Sequence, residues 1–190
     1  MTGELFLPQG FQYRDEAIAA EREHALVAQF EKLPLRPFEF HGYLGKRRVV
    51  SFGYRYDYAG RQVRESLALP DFLLDLREIA AAFAQVAPGG LDQALVTEYA
   101  PGAGIGWHRD KPMFGQVVAF SFLSACTLRF RRRNGTRWER RSHRLAPRSA
   151  YILDGEARWD WEHSIPQGGA LRYSVTFRNF LPPAGETPRQ

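Results

Sequence analysis

Apolar residues recur at helical spacing in two segments of the first half of the chain. Residues 14–32 place apolar side chains among charged ones with a period of about 3.6 residues, and Pro34 ends the pattern. A second segment follows Pro70, where Asp71 is placed to cap a helix, and its apolar positions are Phe72, Leu76, Ile79 and Phe83. We therefore predict two amphipathic helices.

After Gly90 the pattern changes to short runs rich in β-branched and aromatic residues. These runs cover residues 94–99, 117–123, 127–132, 136–145, 150–155 and 171–180. Asn134-Gly135 between two Arg-rich runs predicts a β-hairpin. Helices do not alternate with these strands, which disfavours a parallel Rossmann-type sheet. The pattern predicts an all-β sandwich or barrel, with the two helices packing on the outer face of one sheet.

Composition narrows the class of protein. The 190 residues, of which 44% are hydrophobic, fit one globular domain. No apolar stretch reaches the length of about 18–20 residues that crosses a bilayer, and the start lacks a signal-peptide pattern, so we expect a cytoplasmic protein that does not contact membranes. The net charge is +5 and only three of the 26 basic residues are lysines, which favours an anionic partner, nucleic acid first. The single Cys126 excludes an intrachain disulfide and a multi-cysteine metal site.

The segment YAPGAGIGWHRD, residues 99–110, contains a candidate metal site. His108 and Asp110 are two positions apart, so in an extended segment both side chains point to one face. One imidazole and one carboxylate are two thirds of the 2-His-1-carboxylate triad of non-haem iron. His163 is favoured as the third ligand because it comes shortly before the last strand. His143 is less suitable, since it lies among arginines in a strand expected to face solvent.

The last strand has a polar face. Arg172, Ser174, Thr176 and Arg178 alternate with apolar residues, so two guanidinium groups and two hydroxyls share one side. An organic diacid would satisfy the arginines, and with the iron triad this suggests 2-oxoglutarate as a cosubstrate. The alternative is that the arginines form structural ion pairs with Glu98, Asp154 or Glu162.

These motifs, in this order, resemble the AlkB family of Fe(II)- and 2-oxoglutarate-dependent dioxygenases. The matching segments are residues 99–110, the His163 region and residues 172–178. The resemblance implies a mainly β fold with flanking helices, built on a double-stranded β-helix (jelly-roll) core. It implies one domain over 1–190, with N-terminal helices and a substrate lid in 1–93 and the catalytic core in 94–182.

The resemblance also assigns roles to individual residues. The ligands of Fe(II) would be His108, Asp110 and His163. Arg172 would pair with the distal carboxylate of 2-oxoglutarate, Arg178 would contact the end that chelates the metal, and Tyr99 would hydrogen-bond the cosubstrate. Thr97 and Ser174 would also contact the cosubstrate, although they stand where family members often have Asn. Pro112 stands where some nucleic-acid demethylases have an acidic residue.

The implied activity is oxidative demethylation of N-alkylated bases in DNA or RNA, as in DNA alkylation repair. It would consume O2, decarboxylate 2-oxoglutarate to succinate and release formaldehyde, and the protein would act as a monomer. The departures from the family pattern leave two alternatives open. One is the same chemistry on a protein side chain or a modified tRNA, and the other is a non-catalytic nucleic-acid-binding jelly roll.

Two Arg-rich regions are candidates for contact with the substrate. Residues 38–64 interleave aromatic and basic side chains, and Trp107 precedes a metal ligand; the predicted substrate-binding residues are Phe52, Tyr54, Tyr56, Arg47, Arg48 and Trp107. The alternative is that the aromatic residues pack in the core. Residues 129–148 contain nine arginines and one acid, Glu139, and form either a second backbone-binding surface or a solvated hairpin face. Asp154, before a Gly, is expected to shape a turn.

Overall fold

The computed structural model describes residues 6–40, 43–57, 62–87 and 89–181. Its helices are α1 (Ala20–Phe30), α2 (Leu74–Ala84) and α3 (Gly155–Trp159). Its strands are β1 (Phe11–Arg14), β2 (Arg36–Phe40), β3 (Tyr43–Phe52), β4 (Tyr54–Asp57), β5 (Gln62–Glu65), β6 (Gln93–Tyr99), β7 (Ile105–His108), β8 (Phe114–Phe122), β9 (Cys126–Asn134), β10 (Arg137–Leu145), β11 (Ala150–Leu153), β12 (Glu162–Ile165) and β13 (Arg172–Phe180). None of the helices in the described residues has the length and apolar character needed to span a membrane.

The larger sheet has seven strands in the order β1-β11-β8-β13-β6-β3-β2. Its central strands are buried along nearly their whole length because each face is covered. On the outer face, Leu26 and Phe30 of α1 and Leu76 of α2 pack against Val96 and Phe120 of the sheet. The predicted packing of two helices on one sheet is confirmed.

The smaller sheet has four strands in the order β10-β9-β12-β7. Its inward residues Leu128, Phe130 and Ile165 form a second core with Val117 and Tyr151 of the larger sheet. Two antiparallel sheets therefore face each other around an interior that is apolar at one level and polar at another. This is the mainly β jelly-roll arrangement that the sequence predicted.

Several elements differ from the sequence prediction. The first helix begins at Ala20 rather than at residue 14, because Phe11–Arg14 is a strand that pairs with β11. Asp71 lies in a 3₁₀ turn ahead of α2, and no side chain caps that turn or the helix. The proposed lid region contributes β3, which pairs with β6 in the larger sheet. The expectation that His143 faces solvent is wrong, since its ring packs 4.4 Å from that of Tyr13.

Candidate functional site

The three predicted metal ligands meet on the inner side of the smaller sheet. β7 and β12 pair in a register that places His108 directly opposite His163, and their ring centroids are 4.3 Å apart. Asp110 follows β7, and its Oδ2 lies 3.6 Å from Nε2 of His163. One donor atom from each residue lies within 4.8 Å of the others. Two imidazoles and one carboxylate at these separations fit a facial Fe(II) triad.

Neighbouring groups orient the ligands. Nδ1 of His108 lies 2.8 Å from the carbonyl oxygen of Gly106; with the proton on Nδ1, which donates to this carbonyl, Nε2 is left for a metal. Arg178 donates from Nε to Oδ1 of Asp110 at 2.9 Å, and its Nη2 lies 2.7 Å from the same oxygen in an ion pair. Its third nitrogen, Nη1, donates to Gln93. The guanidinium thus fixes one oxygen of Asp110 and leaves the other facing His163.

The electrostatics of the site favour the protonation states that bind a metal. Burial, together with the charges of Arg178 and Arg158, lowers the pKa of His163 to about 3. Burial alone would raise the pKa of Asp110, but Arg178 and the two histidines hold that pKa well below its usual value. The histidine is neutral and the carboxylate is ionised, as metal coordination requires.

A cavity of about 200 Å³ is lined by Tyr99, Cys126, Ile165 and Arg172, among others. Arg172 is 3% exposed, and its Nε donates to Oγ of Ser121 at 2.9 Å. Nη1 and Nη2 are buried and have no hydrogen-bond partner among the described residues. An isolated buried guanidinium is costly, and two unpaired N–H groups on one side match a carboxylate held bidentately. The residues present fit a diacid cosubstrate.

Arg172 does not form the structural ion pairs with Glu98, Asp154 or Glu162 that were the alternative. Glu98 pairs with Arg48 and Glu162 pairs with Arg131. Asp154 caps α3 through the backbone N–H of Gly155, which confirms its expected role at the turn. Arg178 does form an ion pair, but its partner is the predicted metal ligand Asp110.

The other predicted cosubstrate residues share the inner face of the larger sheet. Tyr99 lies opposite Arg172 in the register of β6 and β13, and the guanidinium lies 4.9 Å from the centre of its ring. Thr97 lies opposite Ser174 two residue pairs further along, and both are buried. Alternation along each strand places these side chains on the same face as Arg172.

Sequence reasoning missed Tyr151. This residue of β11 is buried, and burial strongly raises the pKa of its phenol, while the charge of Arg172 lowers it. The same phenol interacts electrostatically with Tyr99, Cys126 and Asp110, so it belongs to the polar interior. A phenol with a raised pKa remains a hydrogen-bond donor at neutral pH. A strand over residues 150–155 was predicted from the sequence, but not that it lies two strands from β13, which carries Arg172.

The structure separates the residues predicted to contact the substrate. Phe52 is 4% exposed and belongs to the core, whereas Tyr54 is 36% exposed and its ring contacts Phe180. The side chain of Tyr56 lies outside the described residues. Arg47 stacks on Phe38 at 3.8 Å, and Arg48 donates to both carboxylate oxygens of Glu98 at 2.7 Å.

Trp107 is turned away from the metal ligands. It is adjacent to His108 in β7, so the two side chains point to opposite faces of the sheet. Its ring lies 5.0 Å from the guanidinium of Arg129 and 4.6 Å from that of Arg131. Trp107 therefore lies on the outer face of the smaller sheet, beside Arg129 and Arg131.

Comparison with known proteins agrees with this site. A family model described as the 2OG-Fe(II) oxygenase superfamily matches residues 15–178. A protein of Arabidopsis thaliana named "Alkylated DNA repair protein ALKBH8 homolog" is 31% identical over 87% of the chain, and a Macaca fascicularis protein named "tRNA (carboxymethyluridine(34)-5-O)-methyltransferase ALKBH8" is 27% identical over 84%. The chain spans 53% of the length of the first relative and 24% of the second.

A solved structure described as "The structure of OsALKBH1" has the same fold. It superposes with a TM-score of 0.70 at 17% identity, covering 92% of this chain and 98% of the other. The matching family model implies Fe(II), 2-oxoglutarate and O2 as cofactors, which confirms the cofactors that the sequence predicted. The chain therefore belongs to the 2OG-Fe(II) oxygenase superfamily, and the resemblance to its AlkB-like members is confirmed.

Proposed function

We propose that this protein is a dioxygenase that oxidatively demethylates N-alkylated bases in DNA or RNA. The observation that carries the catalytic part is the buried, half-paired guanidinium of Arg172 beside a triad of His108, Asp110 and His163. The net charge of +5 supports a nucleic-acid substrate. A relative named as an alkylated DNA repair protein supports the repair of bases.

Each residue of the site has a defined task in this proposal. His108, Asp110 and His163 would hold Fe(II), which with 2-oxoglutarate and O2 supplies the oxidising power to hydroxylate an N-alkyl carbon, from which formaldehyde is then released. Arg172 binds the far carboxylate of 2-oxoglutarate and thereby sets the direction of the cosubstrate in the cavity. Arg178 keeps Asp110 ionised and fixes its orientation. The buried walls of the barrel exclude water from the reacting groups.

The test is a coupled turnover assay. The protein is loaded anaerobically with Fe(II) and 2-oxoglutarate, exposed to O2, and assayed for succinate and formaldehyde with oligonucleotides containing 1-methyladenine or 3-methylcytosine. We expect methylated oligonucleotides to stimulate succinate formation and to yield matching formaldehyde, while unmethylated oligonucleotides of the same sequence do not. Equal succinate formation with and without every methylated substrate would overturn the demethylase proposal.

A second candidate is the same chemistry on a modified tRNA. The Macaca fascicularis relative is named for a tRNA wobble uridine, and Pro112 stands in place of an acidic residue found in some base demethylases. In this reaction the hydroxylated carbon stays attached to the nucleoside, so no formaldehyde is released. Mass spectrometry of nucleosides from treated tRNA distinguishes the two candidates. A protein substrate is favoured instead if oligonucleotides bind weakly and without dependence on salt.

A further inference from the structure

The outer face of the smaller sheet carries a continuous row of guanidinium and indole groups. Trp107 is flanked by Arg129 and Arg131, at 5.0 and 4.6 Å from the ring centre. Trp138 is flanked by Arg131 and Arg133, at 4.3 and 4.5 Å. We call these five residues the Arg–Trp row. Arg131 lies between two indoles, so the row alternates from β10 through β9 to β7 and passes over β12, which lies between β9 and β7.

Strand alternation explains why these arginines face outward. Leu128 and Phe130 of β9 are fully buried between the sheets, which places the odd-numbered arginines of this strand on the opposite face. The register of β9 and β10 adds two exposed arginines to the same face: Arg140 lies opposite Arg131, and Arg144 lies opposite Thr127. The metal ligand His163 lies on the inner side of this sheet, in β12.

The outer face has an unbalanced positive charge. Glu162 pairs with Arg131 and is the one carboxylate found paired with the Arg–Trp row within the described residues. Arg133, Arg140 and Arg144 are exposed, and the described residues provide no salt bridge to them. Inward-facing Arg132, by contrast, is neutralised by Glu139 and Glu156. The arginines with a structural role are paired, and those on the outer face are mostly left unpaired.

A polar groove adjoins this face at the turn between β9 and β10. Its volume is about 590 Å³, and it is lined by Arg109, Arg132, Arg133, Asn134, Trp159 and Asp160. Arg109 lies in sequence between the ligands His108 and Asp110 and is held by a hydrogen bond from Nη2 to the backbone carbonyl of Asp160 at 3.0 Å. Trp159 is 41% exposed. The groove is therefore lined by arginines and contains an accessible indole.

We propose that the Arg–Trp row and this groove bind the backbone of the polynucleotide strand that carries the target base. The proposal rests on the proposed function and assigns its nucleic-acid surface. Guanidinium groups whose flat faces are covered by indoles keep their N–H edges for phosphate oxygens and lose little side-chain entropy on binding. The exposed ring of Trp159 offers a stacking platform for a base next to the target. Arg133 belongs to both the row and the groove, so the two surfaces are continuous.

The test compares two double variants that each remove two positive charges. Arg133→Gln with Arg140→Gln changes the outer face, and Arg14→Gln with Arg22→Gln changes β1 and α1 by the same charge. Binding of a fluorescein-labelled single-stranded RNA and of DNA of the same sequence is measured by anisotropy in a salt series from about 50 to 200 mM. We expect the first variant to bind on the order of tenfold more weakly. Its slope of log affinity against log salt should be about 1.4 smaller in magnitude, and the control should match wild type.

Further variants separate charge from stacking. Arg133→Lys with Arg140→Lys keeps the charges and should retain the wild-type salt slope, which a structural role would not predict. Trp159→Ala should weaken binding on the order of tenfold without changing the slope. Wild-type affinity and slope in the Gln double variant would overturn the proposal, as would equal competition by a poly-glutamate peptide, which would indicate an acidic protein partner. Because binding is measured without turnover, a chain that binds through this surface but oxidises no methylated base would contradict the proposed function alone.

Discussion

The inside of the barrel and the outer face of the smaller sheet use the same residue type in opposite ways. Arg172, inside, is 3% exposed and keeps two N–H groups without a partner in the described part of the chain. Arg133, outside, is exposed and stacks on Trp138 with no ion pair found in that same part. Both guanidinium groups lack a counter-charge, but only the buried one lowers the stability of the folded protein in that state.

The buried arginine is suited to recognise one ligand, whereas the exposed arginines attract many different anions. The buried guanidinium is held by Ser121 and Tyr99, so its free edge has one direction and accepts one carboxylate. The outer arginines are screened by water and salt, so each adds little affinity, and they act as a group. Changes inside the barrel should therefore give large, ligand-specific effects, and changes outside should give smaller effects that depend on salt.

The largest expected effect comes from the metal ligands. His163→Ala should lower succinate formation more than about 100-fold, because loss of a ligand exceeds the usual effect of losing an outer-shell partner. His143→Ala is the matched control. His143 lies in β10, in the same sheet as His163, and its ring packs on the rings of Phe11 and Tyr13 in β1 and not on the triad. Iron content and succinate formation are measured for both variants. If His163→Ala retains iron and decarboxylation, the triad is not the metal site, and the non-catalytic alternative gains support.

The next effect tests the buried guanidinium. Arg172→Gln should raise the KM for 2-oxoglutarate about 100-fold, since truncating one partner of a buried charge pair typically costs about 2–5 kcal/mol. The variant without cosubstrate should be at least as stable as wild type, because an uncompensated buried charge has been removed. Thermal unfolding with and without 2-oxoglutarate measures both effects. Lower stability of the unliganded variant together with an unchanged KM would mean that Arg172 has a structural role.

The sequence is sufficient to predict the parts of this site that depend on strand alternation. His108 and Asp110 share a face because they are two residues apart, and Arg172 and Ser174 share a face for the same reason. His163 was predicted from its position before the last strand, and the register of β7 and β12 places it opposite His108. The periodicity within one segment was enough to predict the direction in which each side chain points.

Relations between distant segments could not be predicted in this way. Strand order decides that Tyr151 lies in the polar interior and that Arg48 reaches Glu98, and neither neighbour can be read from a single segment. Residues near 14 satisfied a helical pattern, but the backbone of Phe11–Arg14 pairs with β11, and this tertiary pairing decided the structure. Some arginines of the β9–β10 hairpin pair with carboxylates and others stack on indoles. This division also depends on Trp107, which comes from another strand.

Tyr151 tests how far the polar interior extends from Arg172. Tyr151→Phe removes one hydroxyl and keeps the apolar packing of the ring, so we expect a three- to tenfold weaker affinity for 2-oxoglutarate, about the value of one hydrogen bond. Isothermal titration of 2-oxoglutarate, with Mn²⁺ in place of Fe(II), measures this change. Tyr13→Phe is the control, because Tyr13 lies opposite Tyr151 in β1 and its hydroxyl accepts a hydrogen bond from Ala146. Equal affinities for Tyr151→Phe and wild type would exclude this phenol from the cosubstrate site.

The Arg48–Glu98 pair lies on the outer face of the larger sheet, in neither of these two regions, and should give the smallest effect. Arg48 is 49% exposed, whereas Glu98 is 9% exposed and also accepts a hydrogen bond from Tyr173. Hydrogen bonding from Arg48 holds the pKa of Glu98 below its ordinary value, although burial opposes the shift. A carboxylate with a lowered pKa in the folded state adds stability that is present above the pKa of the unfolded chain and is lost as the pH falls through the folded-state pKa.

We therefore expect Glu98→Gln to lower the free energy of unfolding at pH 7 by about 1–2 kcal/mol, a range reduced by solvent screening at Arg48. The difference from wild type should shrink as the pH falls below about 4.5, the ordinary pKa of the carboxyl. Glu78→Gln is the control, because its pair with the adjacent Arg77 is at the surface and should contribute less than about 0.5 kcal/mol. Urea unfolding across this pH range measures both variants. A difference that stays constant with pH would show that Glu98 stabilises the fold by packing and not through its charge.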